Sequence, residues 1–94
     1  MKTVTAKIKG SNSLLGKFAI ERKSTGSVSL YVQDVKQKSY EVEEGQIYFI
    51  DIIVYGDDDQ KYKLEVTGAD EADYPTSEIT LDGGYDNFVV RIKT

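Results

Sequence analysis

The residues of this sequence that could do chemistry are mainly aspartates. Asp57, Asp58 and Asp59 are consecutive, and Asp82 and Asp86 flank a Gly-Gly turn further along the chain. Calcium is a hard cation that takes six to eight oxygen ligands, so carboxylates on converging loops suit it. The spacing does not match an EF-hand loop. The pattern therefore predicts either a calcium site at these five residues or, more commonly for such turns, solvated loops in which Asp and Gly serve the backbone.

Aromatic residues are the second group that could carry function, with seven tyrosines and no tryptophan. Tyr31, Phe49 and Tyr55 are expected on the outward sides of their strands, and Tyr74 lies in the long segment Gly68–Ser77. Tyrosine offers a large contact area at low entropy cost, so these four aromatic residues are the predicted contacts with another protein. The alternatives are inter-sheet packing for the aromatics, and a crossover between sheets for the long segment.

Catalysis has little support in the sequence. The chain has no cysteine and no histidine, which removes disulfides, thiol nucleophiles, zinc or haem sites with nitrogen or sulfur ligands, and the commonest general base. No Gly-x-Ser-x-Gly motif and no glycine-rich phosphate loop occurs. The net charge of −4 disfavours nucleic-acid binding, which normally needs a basic patch. We therefore expect a protein that is not an enzyme and does not bind nucleic acid.

The elements that must position these residues are predicted to be strands. Val, Ile, Tyr and Phe dominate the apolar residues, and alternation of apolar and polar positions recurs between turns. Strands are predicted at 2–9, 15–23, 27–33, 38–43, 46–55, 61–67, 77–82 and 86–93. Residues 1–94 would then form one antiparallel β-sandwich domain of about seven or eight strands, with an Ig-like or jelly-roll-like Greek key.

Three turns are predicted to close hairpins that keep apolar residues on one face. The predicted cross-strand pairs are Ile20 with Leu30, Phe18 with Val32, Val54 with Tyr62, Ile52 with Leu64, Ile50 with Val66, and Ile79 with Phe88. The loops at Asp34, Asp57–Asp59 and Asp82–Asp86 are predicted to share one end of the domain, because chain direction alternates between antiparallel strands.

The segment Gln46–Tyr55 is apolar on both faces except at Asp51, which indicates a central strand. Its second face, with Phe49 and Tyr55, must be covered by a loop or by a partner. Asp51 is interpreted as a partly exposed carboxylate paired with Lys63, rather than as a catalytic acid.

The stretch from Val28 to Val66 resembles the small β-sandwich modules found after secreted bacterial peptidases. The resemblance rests on Ser29-Leu30-Tyr31-Val32, Glu44-Gly45-Gln46-Ile47-Tyr48, Ile53-Val54-Tyr55-Gly56 and Tyr62-Lys63-Leu64-Glu65-Val66. Modules of that family bind calcium, carbohydrate or matrix proteins, so the resemblance implies a binding role. The resemblance covers less than half of the chain.

The function expected from the sequence is a non-catalytic binding or interaction domain that acts through acidic loops and an exposed aromatic face, with another protein as partner. One alternative is a structural subunit of a phage or surface assembly that associates through its apolar face or a sheet edge. Another is a small acidic intracellular inhibitor of another protein. Neither a signal peptide nor an apolar stretch of membrane-spanning length is evident, so we expect no membrane insertion, and a cytoplasmic location if the chain is complete.

Overall fold

Alternating apolar and polar residues form nine β-strands and no helix in the computed structural model, which describes residues 1–94. In chain order these are β1 (Lys2–Gly10), β2 (Leu15–Arg22), β3 (Val32–Val35), β4 (Gln37–Val42), β5 (Ile47–Tyr55), β6 (Lys61–Thr67), β7 (Glu71–Asp73), β8 (Ile79–Thr80) and β9 (Tyr85–Lys93). The chain contains no helix of the length and apolarity needed to span a bilayer.

The strands build two antiparallel sheets packed face to face. Sheet A has the order β4-β1-β6-β8, and sheet B has the order β3-β2-β5-β9-β7. The predicted all-β antiparallel sandwich is confirmed. The strand count is nine rather than seven or eight, because the segment Gly68–Ser77 contains the short strand β7, which pairs with β9.

Most connections cross from one sheet to the other, and only β2 and β3 are consecutive strands that pair. The predicted hairpin of β5 with β6 is wrong, because β5 pairs with β2 and β9 while β6 pairs with β1 and β8. The predicted pair of Ile79 with Phe88 is also wrong, since Ile79 lies opposite Tyr62. In the β2–β3 hairpin the pair Phe18–Val32 is confirmed, but Leu30 is 92% exposed and does not pack against Ile20 as a core pair.

The pattern of burial explains why the sequence predicts hairpins where the structure has crossovers between the sheets. A strand that crosses to the other sheet still turns its apolar face inward, so the alternation is the same as in a hairpin. The six residues predicted to pair between β5 and β6 are all buried, but they approach the core from opposite sheets. The cluster of buried apolar side chains comprises Val4, Ala6, Ile8, Leu14, Phe18, Tyr40, Val42, Tyr48, Ile50, Ile52, Val54, Tyr62, Leu64, Val66, Leu81, Val90 and Ile92.

The four edge strands are poor templates for pairing with another chain. β7 and β8 have only three and two residues, and the β2–β3 pairing is interrupted by a register shift. β4 is longer, but Lys38 alternates with the buried Tyr40 and Val42 and so lies on the inner side, with its Nζ 5.7 Å from the Tyr40 ring centre. Short edge strands, bulges and inward-pointing lysines all oppose edge-to-edge association.

Gly68, which follows β6, provides a stability test of the crossovers. Its φ is +93°, and an added Cβ would overlap the carbonyl oxygen of Thr3 on β1. We expect Gly68→Ala to cost ~3 kcal/mol or more in unfolding free energy, because strain and overlap add. Gly26 is the control, since its φ is +68° with open space around it. Gly26→Ala should cost about 1 kcal/mol. Urea unfolding followed by circular dichroism measures both, and equal costs would contradict the close approach of β6 to β1.

Candidate functional site

The outer face of sheet A is polar, and several of its side chains are bonded to one another. Its outward-facing residues on β4, β1 and β6 are Thr3, Thr5, Lys7, Lys9, Gln37, Ser39, Glu41, Lys61, Lys63, Glu65 and Thr67. Thr3 Oγ1 donates to Glu41 (2.8 Å), the hydroxyls of Thr5 and Ser39 are 2.8 Å apart, and Lys9 Nζ lies 3.2 Å from Glu65 Oε2. This face has the composition of an ordinary solvated surface.

The outer face of sheet B is different. We call it the aromatic face, and it consists of Tyr31, Phe49, Asp51, Ile53, Tyr55, Tyr85 and Val89. Phe49, Ile53 and Tyr55 are half-buried, whereas Tyr31, Tyr85 and Val89 are 47%, 54% and 63% exposed. Apart from Met1, every large apolar side chain that is mostly exposed lies in sheet B or in the segment leading into β3. Exposed apolar residues grouped on one face mark interaction sites more often than scattered ones do.

A row of residues across the sheet organises the centre of the aromatic face. Ala19 lies opposite Asp51, and Asp51 lies opposite Val89. Tyr31 precedes Val32, the partner of Phe18, and therefore lies beside Ala19. The Tyr31 hydroxyl donates to Asp51 Oδ2 at 2.9 Å, so the side chain spans β2. Ala19 is only 1% exposed because the tyrosine covers it.

The hydroxyl of Tyr31 is held as a donor by this contact. The hydrogen bond to Asp51 raises the pKa of Tyr31, with burial and the aspartate charge adding to the rise. Asp51 therefore has a neighbour from its own sheet, and the predicted pairing with Lys63 is wrong. Lys63 is on β6, on the outer face of the opposite sheet, because β5 and β6 do not form a hairpin.

Tyr55 is fixed in a similar way at the end of β5. Its hydroxyl donates to the carboxylate of Asp34 and accepts from the Asp34 backbone N–H at 2.9 Å. Asp34 has a φ of 58°, in the left-handed region that Asp tolerates better than most residues. Burial raises the pKa of Tyr55, and the hydrogen bond to the Asp34 carboxylate raises it further. Part of the second face of β5 is thus covered by the chain itself, and the rest is open.

The charged groups around the aromatic face have no ion-pair partners. The four salt bridges of the molecule join Lys2 with Asp70, Lys9 with Glu65, Arg22 with Glu43 and Lys61 with Glu78. Glu21 and Arg91 flank Phe49 from β2 and β9, and Lys17 flanks Ile53, and none of the three charges takes part in an ion pair. Arg91 lies in register with Asp73 of β7, so a carboxylate of its own chain stands beside it without forming one of these four salt bridges.

A depression of about 310 Å³ opens on this face and is lined by Lys17, Tyr31, Gln33 and Ile53. It combines an apolar floor, an aromatic wall, an ammonium and an amide, a mixture suited to one inserted side chain of a partner. Another depression, of about 340 Å³, lies by Gly45 and has Ile47 as its single apolar lining residue.

The residues on the aromatic face differ in part from the partner contacts that the sequence predicts. Phe49 lies on it as predicted, but Tyr74 is half-buried against the core and belongs to a different part of the molecule. Tyr85 and Val89 were missed. The sequence does contain a signal for Val89. Phe88, Val90 and Ile92 set the inward alternation of β9, and this alternation leaves Val89 on the outer side. The pairing of β9 with β5 is not visible in the sequence.

The aspartate loops do share one end of the domain. Asp58 Oδ1 accepts from the backbone N–H of Gly83 (2.8 Å) and of Asp59 (3.1 Å). Asp57, Asp59 and Asp82 are exposed. No three acidic side chains are grouped so that they could hold a metal ion. The predicted calcium site at these residues therefore gains no structural support.

Asp86, the fifth residue of that prediction, faces inward from β9 and links the two sheets. It lies opposite Val54, a core residue, and accepts a hydrogen bond of 2.5 Å from the hydroxyl of Tyr62 on β6. The Tyr62 ring packs edge-to-face on Phe88, with 6.4 Å between ring centres. Burial, and then the bond to Asp86, raise the pKa of Tyr62 strongly.

Substitution of Asp58 separates its backbone role from a metal role. Asp58→Ala removes the acceptor of two backbone N–H groups, so we expect a loss of about 1–2 kcal/mol in unfolding free energy. Asp57→Ala is the matched control, since that side chain makes no such bond. Thermal unfolding should show the Asp58 loss equally in EDTA and in millimolar calcium. A loss seen only with calcium would contradict the backbone role and restore the metal site.

Tyr62→Phe tests the bridge between the sheets through its pH dependence. At neutral pH the variant should lose about 1–2 kcal/mol, because Asp86 is left half-buried without its donor. The pKa of Tyr62 is raised in the folded state, so its contribution is complete below pH 10 and falls as the unfolded tyrosine ionises above that pH. The stability difference between wild type and variant should therefore stay constant up to about pH 10 and shrink as the pH rises from about 10 to about 12. Urea titrations across this range measure it, and a constant difference would contradict the linkage.

Comparison with known protein families, curated proteins and solved structures finds no significant match to this chain. The function must therefore be inferred from the residues of the aromatic face and from their geometry.

Proposed function

We propose that this protein is a non-catalytic interaction domain that binds another protein through the aromatic face. The observation that carries the proposal is the contrast between its two outer faces. The outer face of sheet A is polar and partly bonded within itself, whereas that of sheet B exposes apolar and aromatic side chains beside unpaired charges.

The shape of the aromatic face suits a protein partner. The three central strands, β2, β5 and β9, have eight or nine residues each. At ordinary strand spacings they present an open surface of roughly 30 Å by 14 Å. Tyr and Phe are enriched at the centres of protein interfaces, where they supply contact area and one polar tip.

Preorganisation supports the same conclusion. Tyr31 is held by Asp51, and Tyr55 by Asp34, so neither side chain has much rotational freedom left to lose on binding. Immobilising a free side chain in an interface costs about 0.5–1.5 kcal/mol, and a tyrosine that is already fixed avoids most of that cost. Leu30 and Val28, at 92% and 60% exposure beside Tyr31, extend the apolar surface beyond the sheet.

Pairing through a sheet edge is a weaker explanation of binding. The edges are short, bulged or protected by an inward lysine, as described for β4, β3, β7 and β8. A face-to-face contact needs none of these edges. It also uses the one apolar surface that the fold leaves open, the second side of β5.

Position-specific photo-crosslinking tests this proposal. We expect a benzophenone amino acid at position 89, introduced in cells that make the protein, to form an adduct with a discrete protein on irradiation. The same group in place of Lys63, on the outer face of sheet A, should form none. When Phe49→Ala is added to the protein that carries benzophenone at position 89, the yield of the adduct should fall about tenfold or more, as expected for the removal of a central aromatic contact.

Two outcomes would contradict the proposal. One is an adduct of equal yield from position 63, which would make the contact independent of the aromatic face. The other is unfolding of Phe49→Ala or Tyr31→Ala, measured by circular dichroism, which would assign these side chains to stability. Lys63→Ala is the control for a substitution on an outer face that leaves both folding and adduct unchanged.

A further inference from the structure

The turn between β8 and β9 contains the one Asp-Gly pair of the sequence, Asp82-Gly83. We propose that this pair is a site of spontaneous covalent modification, in which Asp82 isomerises to isoaspartate, and that the carboxylate of Asp58 restrains the reaction. The reaction depends on the sequence of the turn and on one hydrogen bond across it, and it does not involve the proposed partner of the aromatic face.

The isomerisation needs only water and the two residues themselves. The backbone nitrogen of Gly83 attacks Cγ of Asp82 in its carboxylic acid form, and the new N–Cγ bond closes a five-membered imide. The OH of the carboxyl group and the proton of the amide N–H leave together as one water molecule. When water then cleaves the bond between this nitrogen and the main-chain carbonyl carbon of Asp82, the chain continues to Gly83 through Cγ, and the product is isoaspartate.

The glycine after Asp82 makes this aspartate the most reactive one of the chain. Glycine has no Cβ, so its nitrogen approaches Cγ without obstruction and its backbone adopts conformations that other residues avoid. Every other aspartate precedes a residue that carries a side chain. Asp82 and Gly83 are also exposed, and the Asp82 carboxylate takes part in none of the four salt bridges, so it is available to the neighbouring nitrogen.

Asp58 opposes the attack because it holds the nucleophile. The backbone N–H of Gly83 donates to Asp58 Oδ1 at 2.8 Å. The nitrogen must give up this proton to attack Cγ, and an N–H that donates to a carboxylate keeps its proton more firmly, since its loss would bring two negative charges into contact. The same bond fixes the plane of the peptide between Asp82 and Gly83. The turn must therefore open locally before the ring can close.

Backbone hydrogen bonds on both sides of the pair leave little room for the product. Leu81, which is fully buried, donates from its N–H to the carbonyl oxygen of Gln60 at 2.8 Å. The carbonyl oxygen of Gly84 accepts from the backbone N–H of Gly56 at 3.1 Å. Isoaspartate adds one atom to the main chain between these two anchors, so the modified turn must give up one of them or displace Tyr85, the first residue of β9. The isomerised protein should therefore be less stable than the original.

Ageing of the folded protein in mildly acidic buffer at physiological temperature tests the site, with peptide separation and mass spectrometry as the readout. Water labelled with heavy oxygen marks each passage through the imide, because the water that reopens the ring leaves its oxygen in the product. We expect the label and the isoaspartyl peptide at Asp82 before any other aspartate. Asp82→Glu should abolish both at this position, since glutamate would have to close a larger and less favourable ring.

Asp58→Ala tests the restraint. The rate of isomerisation at Asp82 should rise about tenfold or more, the factor expected when a hydrogen bond to a charged acceptor no longer holds the nucleophile. Asp57→Ala removes a neighbouring carboxylate that makes no such bond, so it should age as wild type does. Gly26→Ala lowers stability at the opposite end of sheet B and should also age as wild type does. In concentrated urea, wild type and Asp58→Ala should isomerise at the same rate, because the turn is no longer formed.

Three outcomes would overturn the proposal. Absence of isoaspartate at Asp82 in the aged Asp58→Ala variant would remove the site itself. Equal rates in folded wild type and folded Asp58→Ala would remove the role of the Asp58 carboxylate. Equal acceleration in Gly26→Ala would assign the effect to a general loss of stability rather than to the bond at Gly83. Circular dichroism before ageing confirms that each variant is folded.

Discussion

The position of β5 at the centre of sheet B is the constraint on which the rest of the structure depends. β5 pairs along its whole length with β9 and over eight residues with β2. Its sequence is apolar on both sides, and the sandwich has only one interior. One face, with Ile50, Ile52 and Val54, is fully buried. The other is left on the outer surface of the sheet, where Phe49 and Ile53 are only half-covered.

Tyrosine–aspartate contacts define how that surface is presented. Three tyrosine hydroxyls donate to three aspartates, Tyr31 to Asp51, Tyr55 to Asp34 and Tyr62 to Asp86. The third joins the sheets, while the first two hold aromatic side chains in place on the outer face. A hydrogen bond to an ionised carboxylate is stronger than one between neutral groups, so each contact fixes an otherwise mobile ring. Asp86, one of the aspartates that suggested metal chemistry, serves here as an acceptor.

The charges beside the apolar residues distinguish the aromatic face from a uniformly apolar surface that would associate nonspecifically. Glu21 and Arg91 lie on opposite sides of Phe49, and their separation across β5 keeps them from pairing within the chain. This geometry arises only because β2 and β9 flank β5, although they are about seventy residues apart in sequence.

The sequence by itself determined the β class, the residues that face the core and the two-sided apolar character of the Gln46–Tyr55 segment, because side-chain alternation reports burial directly. It placed Tyr31, Phe49 and Tyr55 outward for the same reason. Only the tertiary structure decided which strands are neighbours. A hairpin and a crossover between sheets require the same alternation, so Val54 and Tyr62 look like hairpin partners and yet belong to different sheets. Hence the contacts of Asp51 and Asp86, and the meeting of Val89 with β5, depended on long-range pairing that no local pattern encodes.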